Sequence, residues 1–318
     1  MRSTIDVQEE HKTTDRFTLS DLERWSEVTR DVDPAIRLGI FGDPVAHSLS
    51  PQMQNAALRA CEIKMQYARF HIRPNELRSA LRFLRELGFV GANLTVPHKI
   101  TGLAQVDAAD ESATRCGAVN TVRLHDSRLI GSNTDAEGFS RAVRNEFSID
   151  LRDLRVMILG AGGGTGHAIA WQCALENCER LVLVNRTPAK TSAIVDRLRH
   201  FFAAPRVLGP VARLEAVAWD ENAVRAQLAD VDLIVNATPL GLNPSDSAPI
   251  PGRLLAPHHI VFDCVYGTSR TALLRAADEA GARGANGLSM LLHQGALSFS
   301  TWFNREAPIE TMRSAIAL

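Results

Sequence analysis

The chain has 318 residues, 45% hydrophobic and 22% charged, with a formal net charge of −1. That length accommodates two domains with separate cores, and the near-neutral balance excludes a global basic field of the kind that attracts nucleic acid or anionic membrane. The five cysteines (Cys61, Cys116, Cys173, Cys178, Cys264) are odd in number and form no CxxC, so neither a disulfide framework nor a metal site is expected.

The N-terminal stretch MRSTIDVQEEHKTTDRFTLS is too polar for a signal peptide, and no run approaches the ~18 apolar residues of a membrane span. A cytoplasmic protein is expected. Residues 1–16 read as disordered. Leu19 to Asp31 predicts one amphipathic helix capped by Ser20, with Leu22, Trp25 and Val28 on a stripe. The regular fold is expected from Arg37, where a buried strand runs to Phe41. Ser50 as N-cap and Pro51 as first helical residue open a helix. A strand follows at Met65–Ile72, a helix at Asn75–Leu87 stopped by Gly88, a strand at Phe89–Leu94, and a short helix beginning at Pro97. Val119–Leu124 and Arg128–Gly131 flank His125-Asp126-Ser127 as a hairpin at a sheet edge. A bridging helix, Ala136–Phe147, leads to a second unit. That unit has strands at Leu154–Leu159, Arg180–Val184, Val231–Val235 and Ile260–Asp263, with helices after Gly164 and at Pro188–Arg199. Helices at Ser289–Phe303 and Ile309–Ala317 are expected to fold back on the first unit. Strand–helix alternation of this kind implies an α/β fold of mainly parallel sheets covered by helices.

Several segments carry chemistry. Gly160-Ala161-Gly162-Gly163-Gly164 lies between an apolar strand and a helix, the context of a Rossmann turn that offers backbone amides to a pyrophosphate. The third fingerprint position is Thr165 rather than glycine, and a ligand-free strand–helix turn is the plainer alternative. Asn185-Arg186-Thr187 ends the next strand where an NAD site would place an acid. A neutral Asn followed by Arg, with Lys190 one turn on, suits the 2′-phosphate of NADP. Asn236 and Thr238 follow the strand at 231–235 and are candidates to line the cofactor. Ser48 and Ser50 put two hydroxyls at a helix entry, a place for a small carboxylate, although Ser50 as a simple cap is an alternative. Lys99 closes GANLTVPHK, and Asp135 sits in GSNTDAEG with Asn133 and Thr134; Asn120 lies between in GAVNT. A cation and an anion so placed can exchange a proton with a bound alcohol or ketone. The plainer roles are a solvated lysine and an Asp135 cap.

The ordered motifs GDPVAHSLSP, GANLTVPHK, GAVNT, SNTDAEG, GAGGGTG, NRT, NATPLGL, DCVYGTSRT and NGLSMLLHQGA resemble the shikimate dehydrogenase family from about Leu38 to Trp302. The resemblance implies an N-terminal substrate-binding α/β domain and a Rossmann-type NADP-binding domain with a cleft between them. The division would be 1–36 an extension, 37–135 with 289–318 the substrate domain, and 136–288 the cofactor domain. It also implies NADPH-dependent reduction of 3-dehydroshikimate to shikimate in aromatic amino-acid (chorismate) biosynthesis, by a monomer or homodimer with no nucleic-acid or membrane partner. Lys99 and Asp135 would be the catalytic pair, Ser48 and Ser50 the carboxylate anchor, and Thr95, Asn120, Tyr266 and Gln294 the ring pocket. Gly287 would join the cofactor site. Gln54, Gly166, Gly267-Thr268 and Ser289 depart from the family pattern, Gly166 by replacing a basic residue expected to help hold cofactor phosphate. A quinate or dual quinate/shikimate dehydrogenase and a catalytically silent NADP-binding sensor are the alternatives.

Overall fold

The computed structural model describes residues 16–203, 212–267 and 269–317. The predicted disorder of residues 1–16 lies outside them except at Arg16, which begins a strand. In chain order the first unit contains β1 (Arg16–Thr18), α1 (Leu19–Glu23), α2 (Trp25–Val28), β2 (Ile36–Gly42), α3 (Ser50–Ala60), β3 (Gln66–His71), α4 (Leu77–Glu86), β4 (Gly91–Leu94), α5 (His98–Leu103), β5 (Ala108–Ala109), α6 (Glu111–Cys116), β6 (Thr121–His125) and β7 (Arg128–Ser132). After α7 (Asp135–Phe147), the second unit contains β8 (Arg155–Leu159), α8 (Gly164–Leu175), β9 (Arg180–Asn185), α9 (Pro188–Leu198), β10 (Leu214–Ala218), α10 (Glu221–Leu228), β11 (Leu233–Asn236), β12 (Ile260–Asp263), α11 (Ala272–Glu279) and β13 (Arg283–Asn286). Helices α12 (Leu288–Phe303) and α13 (Ile309–Ile316) end the chain.

The first sheet runs β1-β3-β2-β4-β6-β7-β5. The interior strand β2 is buried at every residue but Arg37, which accounts for the apolar run Leu38–Phe41. The β6–β7 hairpin turns through Asp126 and Ser127, both at positive φ, as a tight two-residue connection requires. Short β5 pairs with β7 and covers the edge that the sequence assigns to the hairpin.

The segment before β2 departs most from expectation. The predicted helix 19–31 breaks at Arg24 into α1 and α2. Thr18, not Ser20, caps it, its amide and hydroxyl both donating to Asp21 Oδ2 at 2.7 Å. Arg16–Thr18 adds a parallel strand beside β3. Trp25 packs among Phe17, Phe70 and Phe89 with ring centroids 5.2–5.7 Å apart. Residues 16–28 are therefore part of the first core and not an appendage.

The second sheet is all parallel, in the order β10-β9-β8-β11-β12-β13. Counted along the chain this is 3-2-1-4-5-6, with the order reversing between β8 and β11. A crevice opens outside the carboxyl ends of the strands at such a switch point. Both strands that the sequence missed, β10 and β13, are edge strands only partly buried, and neither carries a long apolar run. Helix α12 returns to the first unit as expected, against α7 and α3, and α13 packs on α3.

Trp25→Ala should lower unfolding stability by about 3–5 kcal/mol, the cost of truncating a core aromatic, as read by urea titration. A loss below about 1 kcal/mol, the range of a surface change, would place the segment outside the core.

Candidate active site

Lys99 stands in the first turn of α5 and Asp135 begins α7, and the two meet: Lys99 Nζ donates to Asp135 Oδ2 at 2.6 Å. Their side chains are 14% and 4% exposed, too dry for an ordinary surface pair. The plainer role for Asp135 belongs to a neighbour. Asn133 Oδ1 accepts the amides of Asp135 and Ala136 at 3.1 and 3.3 Å, capping α7 and leaving the Asp135 carboxylate for side-chain partners. The helix at Lys99 starts one residue later than the sequence indicates, with Pro97 at its cap position.

Asn120 fixes the other Asp135 oxygen. Its Nδ2, with two N–H groups, has three acceptors within reach: Asp135 Oδ1 at 3.0 Å, Thr134 Oγ1 at 2.8 Å and Gln294 Oε1 at 3.2 Å. Gln294 arrives on α12, which crosses α7 so closely that a Cβ at Gly138 would lie 2.7 Å from Gln294 Cβ. Beneath this layer runs a buried polar network that the sequence did not reveal. Asn93 donates to Thr121 Oγ1 and Ser298 Oγ at 3.1 and 3.0 Å and accepts from the Tyr67 hydroxyl at 2.8 Å.

The network leads to the two serines. The Tyr67 hydroxyl also faces Ser50, and burial holds it well above the usual phenol range. Tyr266 is raised by burial too, while its hydrogen bond with Ser48 opposes the shift. Ser50 is the first residue of α3, not its cap; Ser48 Oγ accepts the Ser50 amide at 3.3 Å. Buried Arg69 holds the loop by donating to the Ser48 carbonyl at 2.7 and 3.1 Å. Half-buried Thr95 follows β4 directly and packs its methyl against Gly42. A chain of contacts thus runs from Asp135 through Asn120, Asn93 and Tyr67 to Ser50.

Across from them lies the glycine turn. Gly160 takes φ +85°, which only glycine adopts without strain. A Cβ at Gly162 would lie 2.9 Å from the Asn185 side chain. Gly163 is exposed and Ala161 buried. A Cβ at Gly164 would lie 2.7 Å from Lys99 Cβ, and Thr165 Oγ1 accepts a hydrogen bond from Lys99 Nζ at 3.0 Å. The turn therefore touches the lysine directly. Gly166 is buried over the Gly160 carbonyl, where a Cβ would approach to 2.6 Å. It supplies the close helix–strand packing of the third fingerprint glycine and leaves no room for the basic side chain that the resemblance expects there.

At the end of β9, Arg186, Thr187 and Lys190 are exposed, and neither cation has an ion-pair partner among the described residues. Thr187 stands at the cap of α9 but makes no side-chain cap bond; Asn185 Nδ2 donates to its carbonyl at 3.0 Å. Asn236 does not line this surface. Fully buried, it donates to Asp263 Oδ1 and the Leu240 carbonyl and accepts from the Thr238 amide and hydroxyl, so all its polar capacity holds the loop. Thr238 packs 2.6 Å from the Cβ position of Gly160. Gly287 is buried against the Cys264 carbonyl at the start of α12.

Among the other departures, buried Gln54 donates to the Gly295 carbonyl at 2.9 Å and ties α3 to α12. Ser289 is buried and Gly267 exposed, while Thr268 lies outside the described residues. Burial pushes the Cys116 thiol up to about 12, and no cluster of three metal-ligating side chains exists among the described residues. No helix there is long and apolar enough to cross a membrane.

The family model described as the shikimate dehydrogenase substrate binding domain matches residues 40–122, and that of the shikimate 5′-dehydrogenase C-terminal domain matches residues 287–317. The chain is 39% identical to a shikimate dehydrogenase (NADP(+)) of Methanopyrus kandleri, over 88% of this chain and 94% of the relative. It resembles the crystal structure of a Thermus thermophilus shikimate 5-dehydrogenase in complex with NADP(H) and shikimate, with TM-score 0.74, 34% identity and coverage of 88% and 98%. A quinate dehydrogenase of Corynebacterium glutamicum in complex with NAD superposes with TM-score 0.75 at 28% identity, covering 88% and 98%.

Burial lowers the affinity of four histidines for protons: His98, His167, His259 and His293. His98, next to Lys99, is 0% exposed and bonds the Ile72 carbonyl at 2.7 Å. An unfolded histidine takes up a proton near pH ~6.5, where the folded form resists it, so the unfolded state binds more protons and stability falls as pH drops below that value. The thermal midpoint should be lower at about pH 5.5 than at about pH 7.5, and His98→Gln should shrink the difference. A midpoint constant or rising toward acid would contradict this.

Proposed function

The chain belongs to the shikimate dehydrogenase family, and we propose that it catalyses the reversible NADPH-dependent reduction of 3-dehydroshikimate to shikimate, as the aromatic (chorismate) pathway requires. One observation carries this reading. The near-dry Lys99–Asp135 pair is bonded on one side to Asn120 through Asp135 and on the other to Thr165, just past the glycine turn, through Lys99. Such a position is where a proton donor must be if a hydride is to arrive from the turn.

The turn suits the cofactor. Gly160 permits the sharp reversal, the free amides of the first turn of α8 follow it, and exposed Arg186 and Lys190 follow β9 with no carboxylate at its end. Arg186 and Lys190 would hold the 2′-phosphate, with Asn185 and Thr187 beside them. NADPH, when bound, would supply the hydride and leave as the oxidised cofactor.

The chain's own residues do the rest. Ser48 and Ser50 hold the substrate carboxylate by their hydroxyls, with Tyr266 closing over Ser48. Thr95, Asn120 and Gln294 fix the ring hydroxyls, which sets which ring carbon faces the turn. Lys99 gives its proton to the carbonyl oxygen as that oxygen gains charge, Asp135 as the carboxylate orients and stabilises the ammonium, and solvent returns the proton to the lysine after product leaves. The proton belongs to the pair rather than to either residue. In the oxidising direction the same pair removes the hydroxyl proton. Residues 37–135 with 289–318 form the substrate-binding unit in this reading and 136–288 the cofactor unit, Arg16 to Val28 belonging with the former. The cytoplasm is the fitting location.

Steady-state assays of shikimate and quinate, each with NADP and NAD, test the proposal. Shikimate with NADP should give the highest kcat/KM. A quinate preference would reassign the substrate, and tight cofactor binding without turnover in any combination would make the chain a sensor. Lys99→Ala should lower kcat by about 10²–10⁴-fold with little change in KM; near-normal turnover would remove Lys99 from the mechanism. Arg186→Ala should raise KM for NADP by about tenfold or more, the worth of a charged hydrogen bond, and leave KM for NAD nearly unchanged. Equal effects on both cofactors would remove Arg186 from the 2′-phosphate.

A further inference from the structure

Thr165 is the residue that the family reading leaves without a task. It is the second residue of α8, just past the glycine turn, and the cap of that helix at Gly163 uses no side chain. Its hydroxyl accepts from Lys99 Nζ at 3.0 Å and has no other side-chain partner among the described residues. An ammonium has three N–H donors. Asp135 takes one at 2.6 Å and Thr165 a second, which leaves one for a substrate oxygen. The contact is also enforced from below, because Gly164 lets α8 approach within van der Waals reach of the Lys99 stem.

We propose that Thr165 is a positioning residue for proton transfer: carried on the cofactor-binding helix, its hydroxyl locks the Lys99 ammonium into the arrangement that delivers the proton. Asp135 and Lys99 both come from the side of the substrate, whereas Thr165 comes from the side of the cofactor. Lys99 therefore acquires its full set of partners only where the two units meet. Proton and hydride delivery are thereby tied to the same closed arrangement. The inference rests on the assignment of Lys99 to proton transfer.

Thr165→Val removes the hydroxyl and keeps the shape. With wild-type turnover of shikimate and NADP as the control, this variant should lose roughly tenfold in kcat, while KM for shikimate and for NADP each move less than about twofold. Thr165→Ser should recover kcat to within about threefold of wild type. In a Lys99→Met background the further change Thr165→Val should leave the residual rate unaltered, since the threonine acts through the lysine. Wild-type kcat in Thr165→Val would overturn the proposal. So would a matching rise in KM for NADP that serine does not rescue, or an unchanged penalty without Lys99. A wild-type enzyme inactive with shikimate would instead overturn the functional assignment.

Discussion

The constraint on which the rest of the site depends is the need to keep two opposite charges, Lys99 and Asp135, nearly out of water. Such a pair is stable only when geometry is good and the remaining donors and lone pairs are satisfied. The chain meets this demand layer by layer. Asn133 takes the capping task from Asp135, Asn120 bonds its second oxygen, and Thr165 takes a second ammonium proton. Asn120 is itself held by Thr134 and Gln294, and the layer below by Asn93, Thr121 and Ser298. The same satisfaction that makes the pair tolerable holds its atoms in place for chemistry.

Close approach of backbone is the second requirement. Helix α12 reaches the pair only because Gly138 admits Gln294, and helix α8 reaches Lys99 only because Gly164 carries no side chain. Gly166 brings α8 down onto the end of β8. Glycines that read as a phosphate-binding signature are thus also packing surfaces. The two uses are compatible because one face of the turn meets the protein and the other is left to the anion.

Much of this was legible in the sequence, and the limits have physical causes. Long apolar strands and strand–helix alternation announced both sheets, and the Gly160 turn stood in its diagnostic context. Lys99 and Asp135 were recognisable because turn residues and small polar residues surrounded them. Capping was less legible, since Thr18 and Ser20, or Asn133 and Asp135, are equally good cap residues and only the backbone path chooses. Asn236 looked like a ligand because it ends a strand at the switch point, yet Asp263 and its own loop consume all its bonds. Asn93 and Ser298 lie 205 residues apart, a distance over which no local pattern pairs two ordinary polar residues. Thr165 was visible only as the wrong residue for a fingerprint, with nothing to indicate that a lysine 66 residues earlier in the chain would touch it.

The central claim is that Lys99 and Asp135 act as one proton-transfer unit, and a kinetic double-mutant cycle tests it most directly. With Lys99→Met, Asp135→Asn and the double variant assayed under saturating shikimate and NADP, the double variant should be about as slow as the slower single one, within roughly threefold. Losses that multiply would show two residues acting independently and would contradict the account.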